Sequence, residues 1–349
     1  MQARDGQRTY VIAEIGANHN GDLDLARKLV DSAKACGADA VKFQSWDTTI
    51  FSEAVYEKNY FLGDNYRNRK DYTLKKIVEE FALGFEEMQE LRAYCRRISI
   101  DFASTPFSEQ QLAELVALDA PFIKIASMDL TNPRLLRAAG ESGRTVVLST
   151  GFGTIDEIDR AVRRIEATGN SDIVILHCVA LYPPDDGEVN LNNMDMLRTT
   201  FGYPVGFSDH TLGIEISLAS IAMGAVVLEK HFTLDKTMFG WDHHMSADPG
   251  ELTAICRGRD RIHAARGNRR RTIGPRELAR RDEYRRSIVA AHDIKTGQAV
   301  SATAIDFRRP GTGLGPELAD MIIGMVAARD IVAGTLISFD DLERRPSKS

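Results

Sequence analysis

The sequence lacks the features that mark membrane-spanning, secreted and disulfide-stabilised proteins. No stretch approaches the roughly 18 uninterrupted apolar residues of a membrane span, and residues 1–8 contain no apolar signal core. The four cysteines have no CxxC spacing, so neither a disulfide framework nor a zinc–thiolate site is expected. We therefore expect a cytoplasmic protein without a membrane partner.

The chain also lacks an excess of positive charge. Its formal net charge is −6 at pH 7, which argues against general affinity for nucleic acid. One segment departs from this balance, because residues 266–286 are dense in arginine. We interpret that segment as a solvated connector, with a polyanion-binding patch as the alternative.

What the chain does contain is an alternation of apolar strand patterns and amphipathic helix patterns up to residue 265. The predicted strands span residues 10–15, 40–44, 99–104, 122–126, 145–149, 173–178, 204–207 and 226–231. Strands of this kind between helices indicate a parallel sheet, and eight units favour a closed (β/α)₈ TIM barrel of the α/β class. An open doubly wound sheet is the alternative.

The pattern changes after Arg266, where long helices give way to short strands and glycine turns. We expect a TIM-barrel domain over residues 1–268, an arginine-rich linker over 269–285 and a small β-rich domain over 286–349. Residues 293–297 and 330–334 resemble each other, which suggests two similar turns in the small domain. Residues 45–72 show no clear period, and we interpret them as either an active-site lid or a disordered insertion.

Two histidines, His210 and His231, each follow a short apolar run. If those runs are neighbouring parallel strands, about 4.8 Å apart, the two imidazoles meet at one rim of the sheet. A pair of imidazoles would hold a metal ion and leave most of its coordination sphere open. Such an open site is typical of catalysis and not of structural support.

The other predicted strands also end in polar residues, at the face where TIM barrels carry their chemistry. Lysines inside apolar runs, Lys42 and Lys124, are costly to bury unless an anion or a structural ion pair compensates them. Hydroxyl groups follow at Thr105, Ser127, Ser149 and Ser208. Together these residue types predict a pocket for a phosphorylated, carboxylated small molecule.

Seven short motifs, in order along nearly the whole chain, resemble those of the sialic acid synthase family. They are IAEIGANHNG from Ile12, VKFQ from Val41, STPF from Ser104, KIAS from Lys124, LSTG from Leu148, GFSDHT from Gly206 and EKHFT from Glu229. The sequence RPGTG from Arg309 resembles the loop of the family's antifreeze-like domain, also called SAF or β-clip. The resemblance implies condensation of phosphoenolpyruvate with an acetamido hexose such as N-acetylmannosamine, with release of phosphate.

The resemblance also implies roles for particular residues. Lys42, Thr105, Lys124, Ser127, Ser149 and Ser208 would bind phosphoenolpyruvate, while Gln44, Tyr182 and Arg309 would contact the sugar. His210 and His231 would hold a divalent metal, Mn²⁺ with Mg²⁺ or Co²⁺ as alternatives. Glu14 and Asp242 are the candidates for proton transfer. In the family Arg309 reaches the sugar from the partner subunit, which implies a domain-swapped homodimer.

Two residues depart from the family pattern, since Ala180 replaces a frequent Asn and Trp241 a frequent Pro. The related legionaminate and pseudaminate synthases, and a polysaccharide-biosynthesis homologue acting on another acetamido sugar, are therefore alternatives. A Schiff-base aldolase using Lys124 or Lys230 is an alternative of another class. A glycan-binding or ice-binding protein is a further one, suggested only by the small domain.

Other histidines are expected to play lesser parts. We expect His177 in the core or behind the site, and His243 and His244 at the surface.

Overall fold

The computed structural model of the protein describes residues 6–52, 74–268 and 270–344. It contains two compact units, Met1–Gly267 and Asn268–Ser349. The interpretation of residues 45–72 falls mainly on residues 53–73, which lie outside the described ranges. Before that gap, a single turn at Thr48–Ile50 is capped by the side chain of Asp47, which accepts a hydrogen bond from Thr49 N at 2.8 Å.

The first unit contains a nearly closed barrel of eight parallel strands, which confirms the predicted architecture. The strands are β1 Tyr10–Gly16, β2 Ala40–Ser45, β3 Asp101–Pro106, β4 Phe122–Ile125, β5 Thr145–Ser149, β6 Ile173–Cys178, β7 Val205–Asp209 and β8 Val227–His231. Ladders of hydrogen bonds join them in the order β3-β2-β1-β8-β7-β6-β5-β4. Strands β3 and β4 lie side by side and complete the ring.

Three predicted strand boundaries are wrong by two residues: both ends of β3, and the end of β7, which continues to Asp209. Strand β3 begins at Asp101, not at Ser99, because Ser99 ends the preceding helix in the left-handed conformation with φ 60°.

Helices cover the outside of the barrel. They span Leu23–Cys36, Leu74–Phe81, Phe85–Ile98, Glu109–Ala117, Pro133–Glu141, Ile155–Glu166, Asp186–Val189, Asn193–Phe201, Glu215–Ala222 and Pro249–Arg266. Helix Leu23–Cys36 begins at Asp22, whose carboxylate caps two backbone amides, and ends at Gly37 with φ 93°. Among the described residues, no helix combines the length and the apolar character needed to cross a membrane.

Alternation along each strand builds two separate apolar layers. In β1, Val11, Ala13 and Ile15 point outward and pack against the helices. Ile12 points inward, where it meets small and branched residues from the other strands. Because successive strand residues face opposite sides, Glu14 must continue the inward row above Ile12. The inner layer therefore ends in polar side chains at the carboxyl ends of the strands.

A buried arginine closes the opposite, amino-terminal face of the barrel. Arg259, on helix Pro249–Arg266, is 2% exposed. Its guanidinium donates to Asp39 Oδ2 at 2.6 Å, to Asp260 Oδ1 at 2.9 Å and to the Gly37 carbonyl at 3.3 Å. Since Asp39 precedes β2, these bonds tie the last helix of the unit to the beginning of the barrel.

The second unit begins with an arginine-rich segment that contains two short helices, and short strands follow it. The helices span Pro275–Ala279 and Arg281–Tyr284, and the described residues 270–286 are exposed. Strands β9 Ser287–Ala290 and β10 Ile305–Arg308 form one antiparallel pair, and β11 Val326–Ala327 and β12 Leu342–Glu343 form another. A short helix spans Ala319–Ile322. A separate apolar core, which includes Ile288, Ile294 and Ile331, holds the unit together.

The two turns noted in the sequence lie against each other and cap each other. Ile294 and Ile331 exchange backbone hydrogen bonds of 2.9 and 2.8 Å. Asp330 then accepts from the amide of Thr296 at 2.8 Å, and Asp293 accepts from the amide of Ala333 at 2.8 Å. Each turn is therefore completed by the aspartate of the other.

Replacing the buried arginine should destabilise the barrel. We expect Arg259→Met to lower the free energy of unfolding by about 2–3 kcal/mol, because it removes the buried hydrogen bonds of the guanidinium while Asp39 keeps its pairing with Arg8. The matched control is Arg257→Met on the exposed face of the same helix, with an expected change within about 0.5 kcal/mol. Calorimetric unfolding of both variants measures the difference. Equal effects of the two substitutions would contradict this role for Arg259.

Candidate active site

The polar ends of the inward-facing rows meet in one cavity at the carboxyl-terminal face of the barrel. Its volume is about 470 Å³. In strands β1 to β5 the change from apolar to polar falls two residues along the same row: Ile12 to Glu14, Ala40 to Lys42, Ala103 to Thr105, Phe122 to Lys124 and Val147 to Ser149. The cavity floor is therefore a direct continuation of the inner core.

Every predicted site residue of the barrel unit lines this cavity. These residues are Glu14, Lys42, Gln44, Thr105, Lys124, Ser127, Ser149, Tyr182, Ser208, His210, His231 and Asp242. The remaining predicted residue, Arg309, lies in the second unit, where its guanidinium lies 4.9 Å from the centre of the Tyr284 ring.

Two buried ammonium groups form the floor. Lys42 is 3% exposed, contacts the carboxyl group of Glu14 and donates to Thr105 Oγ1 at 2.7 Å. Lys124, also 3% exposed, lies 3.4 Å from Glu229 Oε1. Both lysines are therefore buried next to carboxyl groups, which burial of an ammonium group requires.

Glu229 is a cavity residue that the site prediction missed. Its Oε1 accepts from Ser208 at 3.2 Å, and its Oε2 lies 3.9 Å from Lys42 Nζ. It therefore lies between the two lysines. A signal was present in the sequence, because Glu229 precedes His231 by two residues and must share its inward direction.

The carboxyl groups of Glu14 and Glu229 differ in pKa. Burial, opposed by Lys42 and assisted by Glu229, raises the pKa of Glu14 to about 8. Burial acts on Glu229 too, but the nearby Lys124 and Lys42 outweigh it and lower the pKa of that group. At neutral pH Glu14 therefore carries a proton while Glu229 is ionised, a division typical of acid–base pairs in enzymes.

The two histidines meet as predicted. Their ring centroids lie 5.5 Å apart. His210 Nδ1 bonds to the carbonyl of Val179 at 2.8 Å, so the ring donates there and Nε2 remains an acceptor. Burial lowers the pKa of His210 to about 4 and that of His231 well below its usual value. Both rings are therefore neutral at pH 7, the form that binds metal ions.

His231 has an unpaired nitrogen next to a carboxyl group. Its Nδ1 is buried without a hydrogen-bond partner, and Asp242 Oδ2 lies 3.5 Å away. Burial raises the pKa of Asp242 to about 7. Within the described ranges, no group of three His, Cys, Asp or Glu side chains is arranged to hold an ion. Two neutral imidazoles beside a carboxyl group are ligand types that a divalent ion accepts, and an ion held by the imidazoles alone would keep open positions for other ligands.

Unsatisfied buried polar atoms are concentrated in the same cavity. Besides His231 Nδ1 they include Glu14 Oε1, Gln44 Oε1, Ser149 Oγ and Glu229 Oε2. Most buried polar groups in folded proteins have partners, so such a cluster indicates groups kept for a ligand.

Ser127 and Tyr182 lie on the loops after β4 and β6. Ser127 Oγ accepts from the amide of Gly151 at 3.0 Å, and a Cβ at position 151 would lie 2.7 Å from that oxygen. Glycine therefore permits this close approach. The Tyr182 ring lies 4.2 Å from that of His210 and remains half-exposed.

The structure corrects or completes four further expectations. His243 is fully buried, not at the surface, because its Nδ1 contacts Thr233 Oγ1 at 2.6 Å. His244 is exposed, as predicted. His177 is buried, bonds to the Val189 carbonyl at 2.6 Å and faces a separate cavity of about 510 Å³. Lys230 faces away from the cavity and pairs with Asp209 at 3.0 Å, so it cannot be the nucleophile of an aldolase.

Comparisons with known proteins identify the family to which this barrel and its cavity belong. The NeuB family profile matches residues 29–271, and the SAF domain profile matches residues 285–343. The chain is 41% identical, over 97% of its length and 95% of the other, to an uncharacterised protein of Methanocaldococcus jannaschii. It is 36% identical to the N,N'-diacetyllegionaminic acid synthase of Campylobacter jejuni, with 95% and 99% coverage of the two chains.

A solved structure extends the similarity to three dimensions. The N-acetylneuraminic acid (sialic acid) synthetase of Leptospira borgpetersenii, in complex with citrate, matches with a TM-score of 0.69 at 33% identity. The match covers 78% of this chain and 90% of that one. The family profile, the near full-length relatives and the barrel agree, and the chain therefore belongs to the NeuB family of sialic acid synthases with a C-terminal SAF domain.

Proposed function

We propose that this protein condenses phosphoenolpyruvate with an N-acetylated hexose, N-acetylmannosamine or a close relative, to give a nonulosonic acid and phosphate. The observation that carries the proposal is the pair of buried ammonium groups, Lys42 and Lys124, on the cavity floor. Phosphoenolpyruvate carries a carboxylate and a phosphate, and two cations among hydroxyl groups suit both. The names of the Campylobacter and Leptospira relatives point to the same class of product.

In this proposal the floor of the cavity binds phosphoenolpyruvate. The hydroxyl groups that would donate to its anionic ends are Thr105, Ser127, Ser149 and Ser208. The hydroxyl of Ser149 is buried without a partner and is therefore free to bind the ligand. The open edge of the cavity then receives the sugar, where Gln44, Tyr182 and Asp242 would contact it.

Glu14 would supply the proton for bond formation. The methylene carbon of phosphoenolpyruvate, C3, attacks the aldehyde carbon of the open-chain sugar, and the aldehyde oxygen takes the proton of Glu14 as it becomes a hydroxyl. Water adds to C2, the carbon that bears the phosphate, and gives one proton back to Glu14. The new C2 hydroxyl then becomes a ketone as the bond between C2 and the phosphate oxygen breaks, and its proton leaves with the phosphate. Because the pKa of Glu14 is raised to about 8, this carboxyl group still holds its proton at neutral pH.

His210 and His231 would hold a divalent ion, which we propose to be Mn²⁺, with Mg²⁺ or Co²⁺ as alternatives. Two observations favour such an ion. His231 Nδ1 is buried without a hydrogen-bond partner. His210 Nδ1 is bonded to the Val179 carbonyl, which leaves Nε2 of that ring as an acceptor. Such an ion would polarise the sugar aldehyde when bound.

We further propose that the active site is completed by a second copy of the chain, in a domain-swapped homodimer. Met128 and Phe152 line the cavity and are 60% and 78% exposed. Large apolar side chains around a polar site are typical of a surface that another protein covers. Arg309 of the partner would then contact the sugar.

Replacing the carboxyl group of Glu14 by an amide should reduce turnover. We expect Glu14→Gln to lower kcat by about 10²–10⁴-fold, because the amide keeps the shape but transfers no proton. Phosphate release from phosphoenolpyruvate, measured with N-acetylmannosamine and its relatives, reports the effect. The control is Glu141→Gln at an exposed helix position, which should match the wild type. A kcat within a few fold of the wild type would exclude Glu14 as the proton donor.

Activity should depend on a divalent metal bound by the two histidines. We expect EDTA to abolish phosphate release and Mn²⁺ to restore it, whereas the His210→Ala, His231→Ala variant should neither bind Mn²⁺ in calorimetric titration nor regain activity. The control variant, His263→Ala with His292→Ala, changes two exposed histidines and should bind the ion normally.

The same measurement separates the proposal from a Schiff-base aldolase using Lys124. The activity of a Schiff-base aldolase would be unchanged in EDTA, and borohydride would inactivate it in the presence of substrate by reducing the Schiff base. Either result would overturn the metal-dependent condensation.

The homodimer predicts rescue between two inactive variants. Mixing an Arg309→Ala chain with a Glu14→Ala chain, after dissociation and reassociation, should restore about a quarter of wild-type activity, because half of the dimers are mixed and each has one intact site. Activity that stays at the level of the separate variants would show that each site is built from one chain.

A further inference from the structure

A buried ion pair of the barrel unit takes no part in the chemistry proposed above. Asp209 and Lys230 are each 1% exposed, and Lys230 Nζ lies 3.0 Å from Asp209 Oδ2. Neither residue belongs to the part of the cavity lining that the structure describes. Because two charges lose their hydration when they are buried, the attraction between them gives little net stability. A contribution to stability therefore does not account for the pair.

The pair lies at the end of the ladder between the two strands that lead to the histidines. Strands β7 and β8 are parallel, and Asp209 opposite Lys230 is the last pair of their ladder. His210 and His231 are the next residues in the sequence. His231 remains in the ladder with β1, whereas His210 follows the end of β7. The position of His210 relative to His231 therefore depends on contacts other than the ladder between β7 and β8.

Lys230 holds both neighbours of His210. Its ammonium group donates to Asp209 Oδ2 at 3.0 Å and also to the carbonyl oxygen of Thr211. Since Lys230 precedes His231 in the chain, this one side chain connects the residue next to His231 with the residues on both sides of His210. The two imidazoles are thus linked through the outer side of the sheet.

The carboxylate of Asp209 fixes the turn that carries His210. Its Oδ1 accepts from the amide of Thr211 at 2.8 Å and from Oγ1 of the same residue at 2.7 Å. Its Oδ2 also accepts from Ser217, which is fully buried on the helix after β7. The turn is therefore attached to that helix, while the Val179 carbonyl holds His210 Nδ1 at 2.8 Å.

We infer that Asp209 and Lys230 are positioning residues, which set the spacing of His210 and His231 for the divalent ion. This inference rests on the metal site proposed above. The side chains that form such a site must be held within about 0.5 Å of their productive arrangement. Groups that hold metal ligands from behind change the metal affinity by about 10- to 100-fold when they are replaced. The pair acts only through the two imidazoles.

The test measures Mn²⁺ binding to the full-length protein by calorimetric titration, without either substrate. Lys230→Met keeps an unbranched side chain but removes the ammonium group, and we expect Kd for Mn²⁺ to rise by about 10- to 100-fold. The matched control is Arg259→Met, which removes a buried cation from its aspartate at the opposite face of the barrel. The control should lose stability but bind Mn²⁺ as tightly as the wild type.

A second variant is needed because Lys230→Met leaves the buried charge of Asp209 unpaired and can prevent folding. In the double variant Asp209→Asn, Lys230→Met no charge is left unpaired, and the new amide oxygen can still accept from Thr211. We expect the same rise in Kd for Mn²⁺. Saturating Mn²⁺ should return kcat for phosphate release in either variant to within a few fold of the wild type, because no cavity residue is changed.

The possible results separate the positioning role from the metal site itself. A Kd for Mn²⁺ equal to that of Arg259→Met would overturn the positioning role and leave the proposed metal site intact. Failure of the wild-type protein to bind Mn²⁺ would overturn both. A loss of kcat that saturating Mn²⁺ does not restore, or failure of both variants to fold, would show that the pair supports the barrel and not the spacing of the histidines.

Discussion

The contacts of Lys42 and Lys124 with the carboxyl groups of Glu14 and Glu229 are the interaction on which the rest of the site depends. An ammonium group inside a barrel is tolerated only where a carboxylate offsets its charge, and here Glu229 lies 3.9 Å from Lys42 and 3.4 Å from Lys124. With Glu14 protonated, the group keeps one excess positive charge, which suits an anion of two acidic ends. The arrangement is stable before a ligand arrives and still leaves Glu14 Oε1 and Glu229 Oε2 without partners.

A second set of hydrogen bonds, on the outer side of the strands, fixes the position of His210. Behind His210, the carboxylate of Asp209 accepts from Thr211 N at 2.8 Å, from Ser217 and from Lys230 at 3.0 Å. All of these atoms face away from the cavity, toward the helices. The same sheet thus uses alternate residues for two purposes, one row for chemistry and the next for rigid support, as precise sites require.

The sequence allows the barrel and most of the site to be predicted because strand alternation is strict. Once Ile12 is assigned to the core, Glu14 must face the same way, and the same holds for Lys42 and Lys124. The same alternation places Glu229 in the inward row two residues before His231, but only the folded barrel shows that it lies between the two lysines. His243 was misplaced for a similar reason, since its partner Thr233 is ten residues away and becomes visible only in the folded loop.

The reciprocal caps of the small unit have a consequence for how that unit forms. Thr296 depends on Asp330 and Ala333 on Asp293, so the capping bonds span 34 and 40 residues of chain. Neither capping hydrogen bond can form within a local hairpin. Both form only when the two halves of the unit come into contact. Contacts between such distant residues slow the search for the native state. The small unit should consequently fold in one cooperative step that is slower than its short length would suggest.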